Sequence, residues 1–401
     1  MSKPLSGVRV LAPEHFMAGP YGSQFMADLG AEIIKVEAPG IGDPFRANGP
    51  WFIGRDGRRA SGTFLRMNRN KKSLTLDLRK PRGRELFLRL AKISDVVWEN
   101  FKPGTMDRWG VGYEAVKLVN PSIIYASISG FGQRGKNTSP YIDRPAMDIS
   151  GQAMSGLMSL VAGGDPPYWL GAPISDQFPG ILAMVGVIAA LYQRALTGEG
   201  RHIDVSMYDA SLMLNERAIA FTLMTGQAWH RRMESILVPY GAYQAADGYV
   251  VLAPSRAMWA AFCRVLGRED AVDDPRLTGE VERARNEKTL LTPMIEAWTS
   301  VRPRAEIVAK MLEAGIPVAP VQSSSEILEC PHVKARHMLA EYEDPVAGTV
   351  RHVGNPIKMS GVEEEAPRPS PLLGQHTEEI LKGLLGLSDG EIEALRADKV
   401  V

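Results

Sequence analysis

An aspartate inside an apolar stretch is the residue of this chain with the clearest potential for chemistry. Asp176 lies within residues 171–180, just before a long apolar run. Burying a carboxylate without a partner costs free energy, so the residue needs a structural or a chemical reason. It has two interpretations. Asp176 is either a nucleophile that becomes acylated during turnover or an N-cap of the helix predicted over residues 181–194, because Asp is a favoured cap.

Three further polar segments could bind a ligand. The loop 14–20 follows a predicted strand and carries His15, which could hydrogen-bond a substrate or be purely structural. The basic and amide-rich cluster 67–73 could hold a phosphorylated cofactor or form a solvated face. Residues 100–105 leave another predicted strand through a turn, with Arg108 shortly after. In open α/β sheets, ligands collect outside the carboxyl ends of the strands, where two of these segments lie.

Alternating strand and helix patterns predict an open parallel sheet in the first part of the chain. The predicted strands are 8–12, 32–37, 72–78, 95–99 and 122–128, and the predicted helices are 21–29, 81–93 and 113–119. A strand, a helix and a strand within about thirty residues indicate a right-handed βαβ unit. The first turn contains no GxGxxG motif, so the sequence does not support dinucleotide binding there.

A change of pattern near residue 225 predicts a second, smaller α+β domain. Two strands within residues 241–252 are joined at Asp247-Gly248, a typical turn pair, and helices are predicted at 258–266, 289–298 and 304–314. We therefore expect a large α/β domain in residues 1–220, the small domain in 225–320 and a C-terminal segment in 325–401. That last segment carries predicted helices at 378–385 and 389–397.

The composition argues against several classes of function. Lys plus Arg and Asp plus Glu each number 46 in 401 residues, so no overall charge attracts nucleic acid or an anionic membrane, and we expect neither as a partner. Only Cys263 and Cys330 are present, and the first residues lack a signal-peptide core, which together predict a reducing, cytoplasmic location. The apolar run 181–192 has 12 residues and favours a buried helix over a membrane span. Zinc, P-loop and nucleophile-elbow motifs are missing, so no metal site is predicted.

Short motifs in a fixed order make nearly the whole chain similar to the family III CoA-transferases, the group that contains the formyl-CoA:oxalate and the carnitine CoA-transferases. Each motif is weak alone, and their joint order carries the resemblance. They are KPLSGVRVL (3–11), AGP (18–20), LGAEIIKVE (29–37), NKKSLTLD (70–77), ENFKPG (99–104), TGEGRHIDVS (197–206) and LLGQHT (372–377).

The resemblance implies CoA transfer between two carboxylic acids, with Asp176 at the position of the family's catalytic aspartate. It implies a Rossmann-like open parallel sheet and a smaller α+β domain, with the C-terminal segment returning to the large domain and two chains interlocked as a homodimer. Coenzyme A would enter as an acyl-CoA substrate, with no permanently bound cofactor. The implied CoA-contacting positions are Met17, Ala18, Leu76, Asp77, Leu78, Arg79, Asn100, Phe101, Lys102 and Arg108.

The chain departs from the family pattern in three places. Ala38 stands where the oxalate enzyme has an arginine, so one CoA contact is lost or replaced. The Gly-rich lid of that enzyme's smaller domain has no counterpart here, so a different loop must shield the intermediate. Met147, which precedes Asp148, stands where the α-methylacyl-CoA racemases of the superfamily have a histidine. Because methionine cannot exchange protons, this departure argues against the alternative function, an acyl-CoA racemase or epimerase.

The substrates are less well defined by the sequence. His15, Arg144 and Asp148 are the candidate substrate residues, and the first two could meet the second carboxylate of a dicarboxylic acid. The missing arginine and lid make oxalate less attractive than succinyl-CoA as donor with a small acid as acceptor. A non-catalytic CoA-binding subunit is a third alternative, and the presence of Asp176 speaks against it.

Overall fold

The computed structural model describes residues 3–162, 166–229 and 238–401. The chain divides into two compact units, one of Met1–Arg231 with His337–Val401 and one of Arg232–Arg336. The sequence placed the smaller domain at 225–320 and the C-terminal segment at 325–401, so both boundaries lie further along the chain than expected. The second boundary lies further along because the helices Ser324–Glu329 and Pro331–Ala335 also belong to the second unit, where Arg304 donates to Glu326 Oε1 at 2.5 Å.

A parallel sheet lies at the centre of the first unit. The strands before residue 231 are β1 (Arg9–Ala12), β2 (Glu32–Glu37), β3 (Trp51–Ile53), β4 (Arg59–Ser61), β5 (Lys72–Thr75), β6 (Val96–Glu99), β7 (Ile124–Ser129) and β8 (Arg201–Ser206). Within the described residues, six of them form the parallel sheet in the order β5-β2-β1-β6-β7-β8, and β3 pairs with β4. From β1 the chain adds β2 and β5 on one side of the sheet, and then β6, β7 and β8 on the other side. The loops after β1 and β6 therefore lie side by side at this change of side, where open α/β sheets bind ligands.

Helices pack on both faces of this sheet. They are α1 (Ala18–Asp28), α2 (Gly62–Asn68), α3 (Pro81–Lys92), α4 (Thr105–Arg108), α5 (Tyr113–Val119), α6 (Asp148–Met154), α7 (Leu157–Ala162), α8 (Ile174–Thr197), α9 (Met207–Leu214) and α10 (Glu216–Thr225). Neighbouring residues of β1 point to opposite faces: Val10 joins the apolar cluster of α1 and α8, and Leu11 joins that of α3 and α5. The predicted mixed α/β fold with an open parallel sheet is confirmed.

The helix α8 is longer than the sequence indicated. It spans 24 residues with a mean hydropathy of 1.6 over its most apolar window, so among the described residues it is long and apolar enough to cross a membrane. The helix predicted around the 12-residue apolar run was therefore too short. Length and composition are weak evidence for a span, because core helices of soluble proteins meet the same criteria. Ala183, Met184 and Val187 of α8 are buried in the core that it shares with α1.

The second unit combines a small antiparallel sheet with helices. Its strands β9 (Gly241–Ala245), β10 (Gly248–Leu252) and β11 (Val318–Pro320) pair in the order β11-β10-β9. Its helices are α11 (Trp259–Leu266), α12 (Glu280–Arg285), α13 (Thr292–Thr299), α14 (Arg304–Glu313), α15 (Ser324–Glu329) and α16 (Pro331–Ala335). The turn that joins β9 to β10 is Ala246-Asp247, one residue earlier than predicted, because Gly248 already pairs with Ala245. The Asp247 carboxylate accepts the backbone N–H of Arg304 at 2.7 Å.

The C-terminal segment belongs to the first unit. It contains a hairpin that the sequence did not predict, β12 (Leu339–Asp344) and β13 (Gly348–Val353), followed by α17 (Thr377–Leu385) and α18 (Asp389–Ala397). Ile380 and Ile392 of the two helices join the apolar cluster beside β5. The predicted strand 72–78 ends early at Thr75, because the Asp77 N–H bonds to Val400 O of this segment at 2.8 Å.

Candidate active site

The loops after β1 and β6 are tied together at the reversal point of the sheet. The His15 N–H donates to Asn100 Oδ1 and Asn100 Nδ2 donates to His15 O, both at 2.9 Å. The Trp98 indole donates to Gly19 O at 3.0 Å. A side chain at Gly19 would lie 2.7 Å from Asn100 Oδ1, so glycine is needed for this approach. The backbone around the start of α1 is therefore fixed in place.

A cavity of about 260 Å³ opens beside these loops at the carboxyl ends of the strands. Six residues predicted from the sequence line it, namely His15, Leu76, Asp77, Leu78, Arg79 and Phe101. Phe101 packs against His15 with ring centroids 4.6 Å apart and against Trp109 at 5.1 Å. Ala38 also lines the cavity, so the wall is open where the oxalate enzyme has its arginine. Most of the cavity surface is apolar, with the Arg79 guanidinium at its edge. Four carboxylates also belong to the lining, each paired with a cation of the chain: Glu14, Glu37, Asp43 and Asp77.

The cationic side chains predicted for this region are exposed. Arg79 is 64% exposed and forms a bidentate pair with Asp77, whose carboxyl pKa is lowered chiefly by these hydrogen bonds. Lys102 donates to Asp143 O at 2.8 Å, and Arg108 donates to the Thr105 hydroxyl at 3.0 Å. Lys102 and Arg108 do not line the 260 Å³ cavity. Exposed cations on this face suit the phosphates of a ligand that extends into solvent.

Asp176 is the third residue of α8, and the N-cap position is occupied by Pro173. The N-cap interpretation is therefore wrong. Within residues 3–162, 166–229 and 238–401, the Asp176 carboxylate has no hydrogen-bond or ion-pair partner. Burial, and secondly the charge of Asp148, raise the pKa of this carboxyl from 3.8 to about 7. A partly buried carboxylate without donors is poorly solvated, which is the condition that makes it reactive as a nucleophile.

The packing of α8 on α1 sets the place of Asp176 in the fold. Gly180 lies one turn after Asp176 on the same helix face, and a Cβ there would come within 2.5 Å of Ala18 O. A Cβ at Gly22 of α1 would clash with Gly180 O in the same way. Glycine on both helices thus allows backbone contact. This contact brings the first turn of α8 beside Met17 and Ala18, which are buried at the start of α1.

Asp148 is held by three donors of the protein. Its Oδ1 accepts the Ser175 N–H, and its Oδ2 accepts Gln152 Nε2 and Trp169 Nε1, each at 2.8 Å. Gln152 also accepts the Leu170 N–H at 3.1 Å. The structure therefore uses Asp148 to fasten the segment before α8 and to place a negative charge near Asp176. The sequence did not predict the roles of Gln152 and Trp169, because neither belongs to a recognisable motif.

The remaining substrate candidates lie apart from Asp148. His15 faces the cavity, and burial lowers its pKa to about 4, so its imidazole is neutral at physiological pH. It can donate or accept a hydrogen bond but brings no charge to a carboxylate. Arg144 is exposed, with its guanidinium 4.1 Å from the centre of the Tyr141 ring. In the described residues, no contact joins Arg144 to His15 or to Asp176.

The basic cluster 67–73 is not a solvated face, because two of its cations are buried and paired with carboxylates of the chain itself. Lys71 is fully buried, 2.7 Å from Glu14 Oε1. Arg69 is buried in a bidentate pair with Asp28. These cations satisfy carboxylates of the chain itself. Sequence spacing could not predict this, because Glu14 and Asp28 lie more than forty residues away along the chain.

Comparison with known proteins decides the family. The model of the family described as CoA-transferase family III matches residues 5–377. The chain belongs to this family. It is 38% identical to a succinyl-CoA:mesaconate CoA-transferase of Haloarcula marismortui over 94% of this chain and 95% of the relative. It is 35% identical to a succinyl-CoA–D-citramalate CoA-transferase of Chloroflexus aurantiacus, and the alignment covers 100% of this chain and 98% of that relative.

The fold of this CoA-transferase family III member also matches a solved structure. A CAIB/BAIF family protein from Brucella suis is similar with a TM-score of 0.85 and 32% identity, over 96% of this chain and 100% of that chain. The resemblance stated from sequence motifs is therefore confirmed at the level of family, fold and enzyme class. Acyl-CoA and carboxylic acid substrates are consistent with the named relatives.

Proposed function

We propose that this chain transfers CoA from an acyl-CoA to a carboxylic acid, with Asp176 as the covalent nucleophile. The observation that carries the proposal is the isolated Asp176 carboxyl, which has a raised pKa and lies at the start of α8 beside α1. The 260 Å³ cavity beside the loop that leads into α1, lined by His15, Phe101 and Arg79 but not by Asp176, would take part of the CoA. Its apolar walls suit the adenine, and the exposed cations suit the phosphates.

The proposed cycle has four nucleophilic steps at carbonyl carbon. The Asp176 carboxylate attacks the donor thioester, the C–S bond breaks, and a mixed anhydride forms with release of CoA thiolate. The thiolate attacks the Asp176 carbonyl and expels the donor acid, which leaves an aspartyl-CoA thioester. The acceptor carboxylate attacks that thioester and again releases the thiolate. The thiolate then attacks the acceptor acyl carbon, so the new acyl-CoA forms and Asp176 is regenerated.

The protonation state of Asp176 limits this cycle. With a pKa of about 7, a large part of the free enzyme carries a protonated Asp176 near neutral pH, and only the ionised form attacks. The positive end of the α8 dipole favours the ionised form, and the charge of Asp148 opposes it. We therefore expect the acidic limb of the pH profile of kcat/KM for acyl-CoA to report Asp176.

We propose succinyl-CoA as the donor and a small dicarboxylic acid as the acceptor. Relatives with 34–38% identity are named as succinyl-CoA transferases acting with mesaconate, D-citramalate or glutarate, and as formyl-CoA:oxalate CoA-transferases. The alanine at position 38 enlarges the cavity and distinguishes this chain from the oxalate pattern. Met147 is 72% exposed and carries no exchangeable proton, which disfavours the racemase alternative.

We also propose that the active form is a homodimer, as the family resemblance implies. Apolar residues of α8 and α10 are exposed in the single chain: Val185 54%, Tyr192 72%, Leu196 71%, Leu223 82% and Met224 79%. Exposed apolar surface of this kind is typical of protein–protein interfaces. Native mass spectrometry at low micromolar concentration tests the proposal, and a monomer with full transferase activity would contradict it.

Intact-protein mass spectrometry tests the function directly. The protein is mixed with succinyl-CoA, formyl-CoA or acetyl-CoA, with Asp176→Ala as the matched control. We expect a CoA-sized mass increase with the true donor that hydroxylamine removes and that Asp176→Ala lacks. An adduct that persists in Asp176→Ala would remove Asp176 from the nucleophile role. Exchange of the α-proton with solvent, without an adduct or an acceptor acid, would support the isomerase instead.

A further inference from the structure

Four charged side chains form a fully buried network beneath the loop that follows β1. Lys35 Nζ lies 2.8 Å from Asp43 Oδ2 and 3.7 Å from Glu14 Oε1, and Lys71 Nζ lies 2.7 Å from the same Glu14 oxygen. All four side chains are 0% exposed or nearly so. Two positive and two negative charges thus balance in the protein interior. Buried pairs of this kind add little net stability over apolar packing, so stability alone does not account for the network.

Three members of the network also hold backbone groups of the loop 14–20. Lys35 Nζ donates to Glu14 O at 3.1 Å, and Lys71 Nζ donates to Pro20 O at 3.0 Å. Asp43 Oδ1 accepts the N–H of Phe16 at 3.1 Å and, outside the loop, that of Phe45 at 2.9 Å. The network therefore clamps the loop at its start, its middle and its end.

The middle contact acts on an unusual backbone conformation. Phe16 has a φ of +56°, in the left-handed region that residues with a side chain seldom adopt. Its N–H is the group that Asp43 accepts, and its ring packs on His15 and Phe45 with centroids 4.8 and 5.4 Å away. Outlying conformations of this kind persist only where surrounding contacts enforce them, and they cluster at functional sites.

Phe16 lies between the wall of the 260 Å³ cavity and the start of α1. Phe16 and the residue before it, His15, line the 260 Å³ cavity, and the residue after it, Met17, is the N-cap of α1, the helix that packs on α8. A change of φ at Phe16 would rotate the cavity wall at His15 against the start of α1. The conformation at this residue therefore sets the orientation of that wall relative to α1.

We propose that Asp43 is a positioning residue of this enzyme, whose Oδ1 holds the Phe16 N–H so that the cavity wall and the start of α1 keep their relative orientation. The inference rests on the proposed function, because the cavity is taken to bind acyl-CoA. Asp43 also lines the cavity, but in this scheme it acts through the backbone of the loop and contacts no reacting atom. Lys35 serves to neutralise the Asp43 carboxylate and to hold Glu14 O.

Two double variants separate the oxygen of Asp43 from its charge. Lys35→Met/Asp43→Asn and Lys35→Met/Asp43→Leu both remove the same pair of opposite charges. Only the asparagine keeps an oxygen that can accept from Phe16 and Phe45, and asparagine is also a good cap for the turn at residues 44–47. Should the leucine form fail to fold, Lys35→Met/Asp43→Ala gives the same comparison with a smaller side chain.

The readouts are steady-state kinetics, melting temperature and amide hydrogen exchange of the peptide containing residues 13–20. We expect the asparagine form to stay within about threefold of the wild type in KM for acyl-CoA and in kcat, and the leucine form to lose about tenfold or more in kcat/KM. We expect faster exchange of the 13–20 peptide in the leucine form alone. Equal losses in both forms, or wild-type behaviour in both, would overturn the role of the Asp43 oxygen. A wild-type protein that transfers no CoA while the exchange difference persists would refute the proposed function and leave the positioning role standing.

Discussion

Replacing Asp176 by asparagine is expected to stabilise the protein in a pH-dependent way while abolishing CoA transfer. The folded-state pKa of Asp176 is about 7, against 3.8 for the free side chain. Between these two pH values the folded carboxyl keeps a proton that the unfolded chain has released. Unfolding therefore releases a proton, and the free energy of unfolding contributed by this group falls as pH rises through that window. The Asp176→Asn variant would have no such dependence at this position, since an amide does not titrate.

The size of this change in the free energy of unfolding follows from the shift in the pKa of Asp176. At 1.36 kcal/mol for each pKa unit, the full window corresponds to about 4 kcal/mol. Between about pH 5.5 and pH 8.5, only the part below pH 7 contributes, so about 2 kcal/mol of differential stability is expected. The N-terminal dipole of α8 favours a negative charge at this position by about 0.3–1 kcal/mol, which the substitution also removes at high pH.

Urea unfolding of Asp176→Asn and of the wild type, at both pH values and one protein concentration, measures this difference. Asp209→Asn is the matched control, because Asp209 is also the third residue of its helix, α9, and is exposed. We expect Asp176→Asn to gain about 2 kcal/mol more at the higher pH than at the lower, and Asp209→Asn to show no such gain. An equal change at both pH values for Asp176→Asn would refute the assignment of a raised pKa to Asp176, and with it the account of the nucleophile as a poorly solvated carboxyl.

Three further predictions address the surroundings of Asp176. Asp148→Asn removes a nearby negative charge, so the acidic limb of the kcat/KM profile should move to lower pH, although it stays above the value of a free aspartate because burial is the larger cause; a shift to higher pH would contradict this. Gly22→Ala places a methyl group against Gly180 O, and it should cost about 1–3 kcal/mol in urea unfolding and reduce transfer, whereas an unchanged stability would refute the close contact of α1 with α8. Arg79→Ala should raise KM for acyl-CoA by about tenfold, equivalent to about 1.4 kcal/mol, with kcat unchanged; a loss confined to kcat would place Arg79 elsewhere in the reaction.

The sequence was most informative where local patterns determine the structure. The strand Glu32–Glu37 and the helices Tyr113–Val119 and Asp389–Ala397 were predicted with the observed bounds. Ile33, Ile34 and Val36 give the strand an apolar centre shortly after the helix stop at Gly30, and the two helices are bounded by clear starts and stops, so their patterns are strong. The start of α8 was missed by seven residues, because Pro179 and the glycines around it suggested a loop.

The grouping of some candidate residues was predictable for the same physical reason. The loops with His15 and Phe101 were expected at the carboxyl ends of the strands, and the resemblance added Leu76 to Arg79; the structure brings all of them to one cavity, whose binding of CoA stays a prediction. The partners of Asp148 and Lys71 were not foreseen, since hydrogen bonds and ion pairs between distant segments leave no local pattern. The cluster 67–73 illustrates this limit, because its composition suggested either a ligand site or a solvated face, while Lys71 and Arg69 neutralise carboxylates from other parts of the chain.

The distribution of donors around the two aspartates explains how one carboxylate can remain reactive. Asp148 receives three hydrogen bonds at 2.8 Å, whereas Asp176, one residue after the Ser175 amide that serves Asp148, receives none from the described residues. Hydrogen bonds stabilise the ionised form of a carboxylate, so donors at Asp176 would lower its pKa and weaken it as a nucleophile. The donors bind Asp148 instead, and these hydrogen bonds hold the segment before α8. The negative charge of Asp148 stays near Asp176 and raises the pKa of Asp176 further. The same three hydrogen bonds thus hold the segment that carries Asp176, the proposed nucleophile, while Asp176 itself accepts none from the described residues.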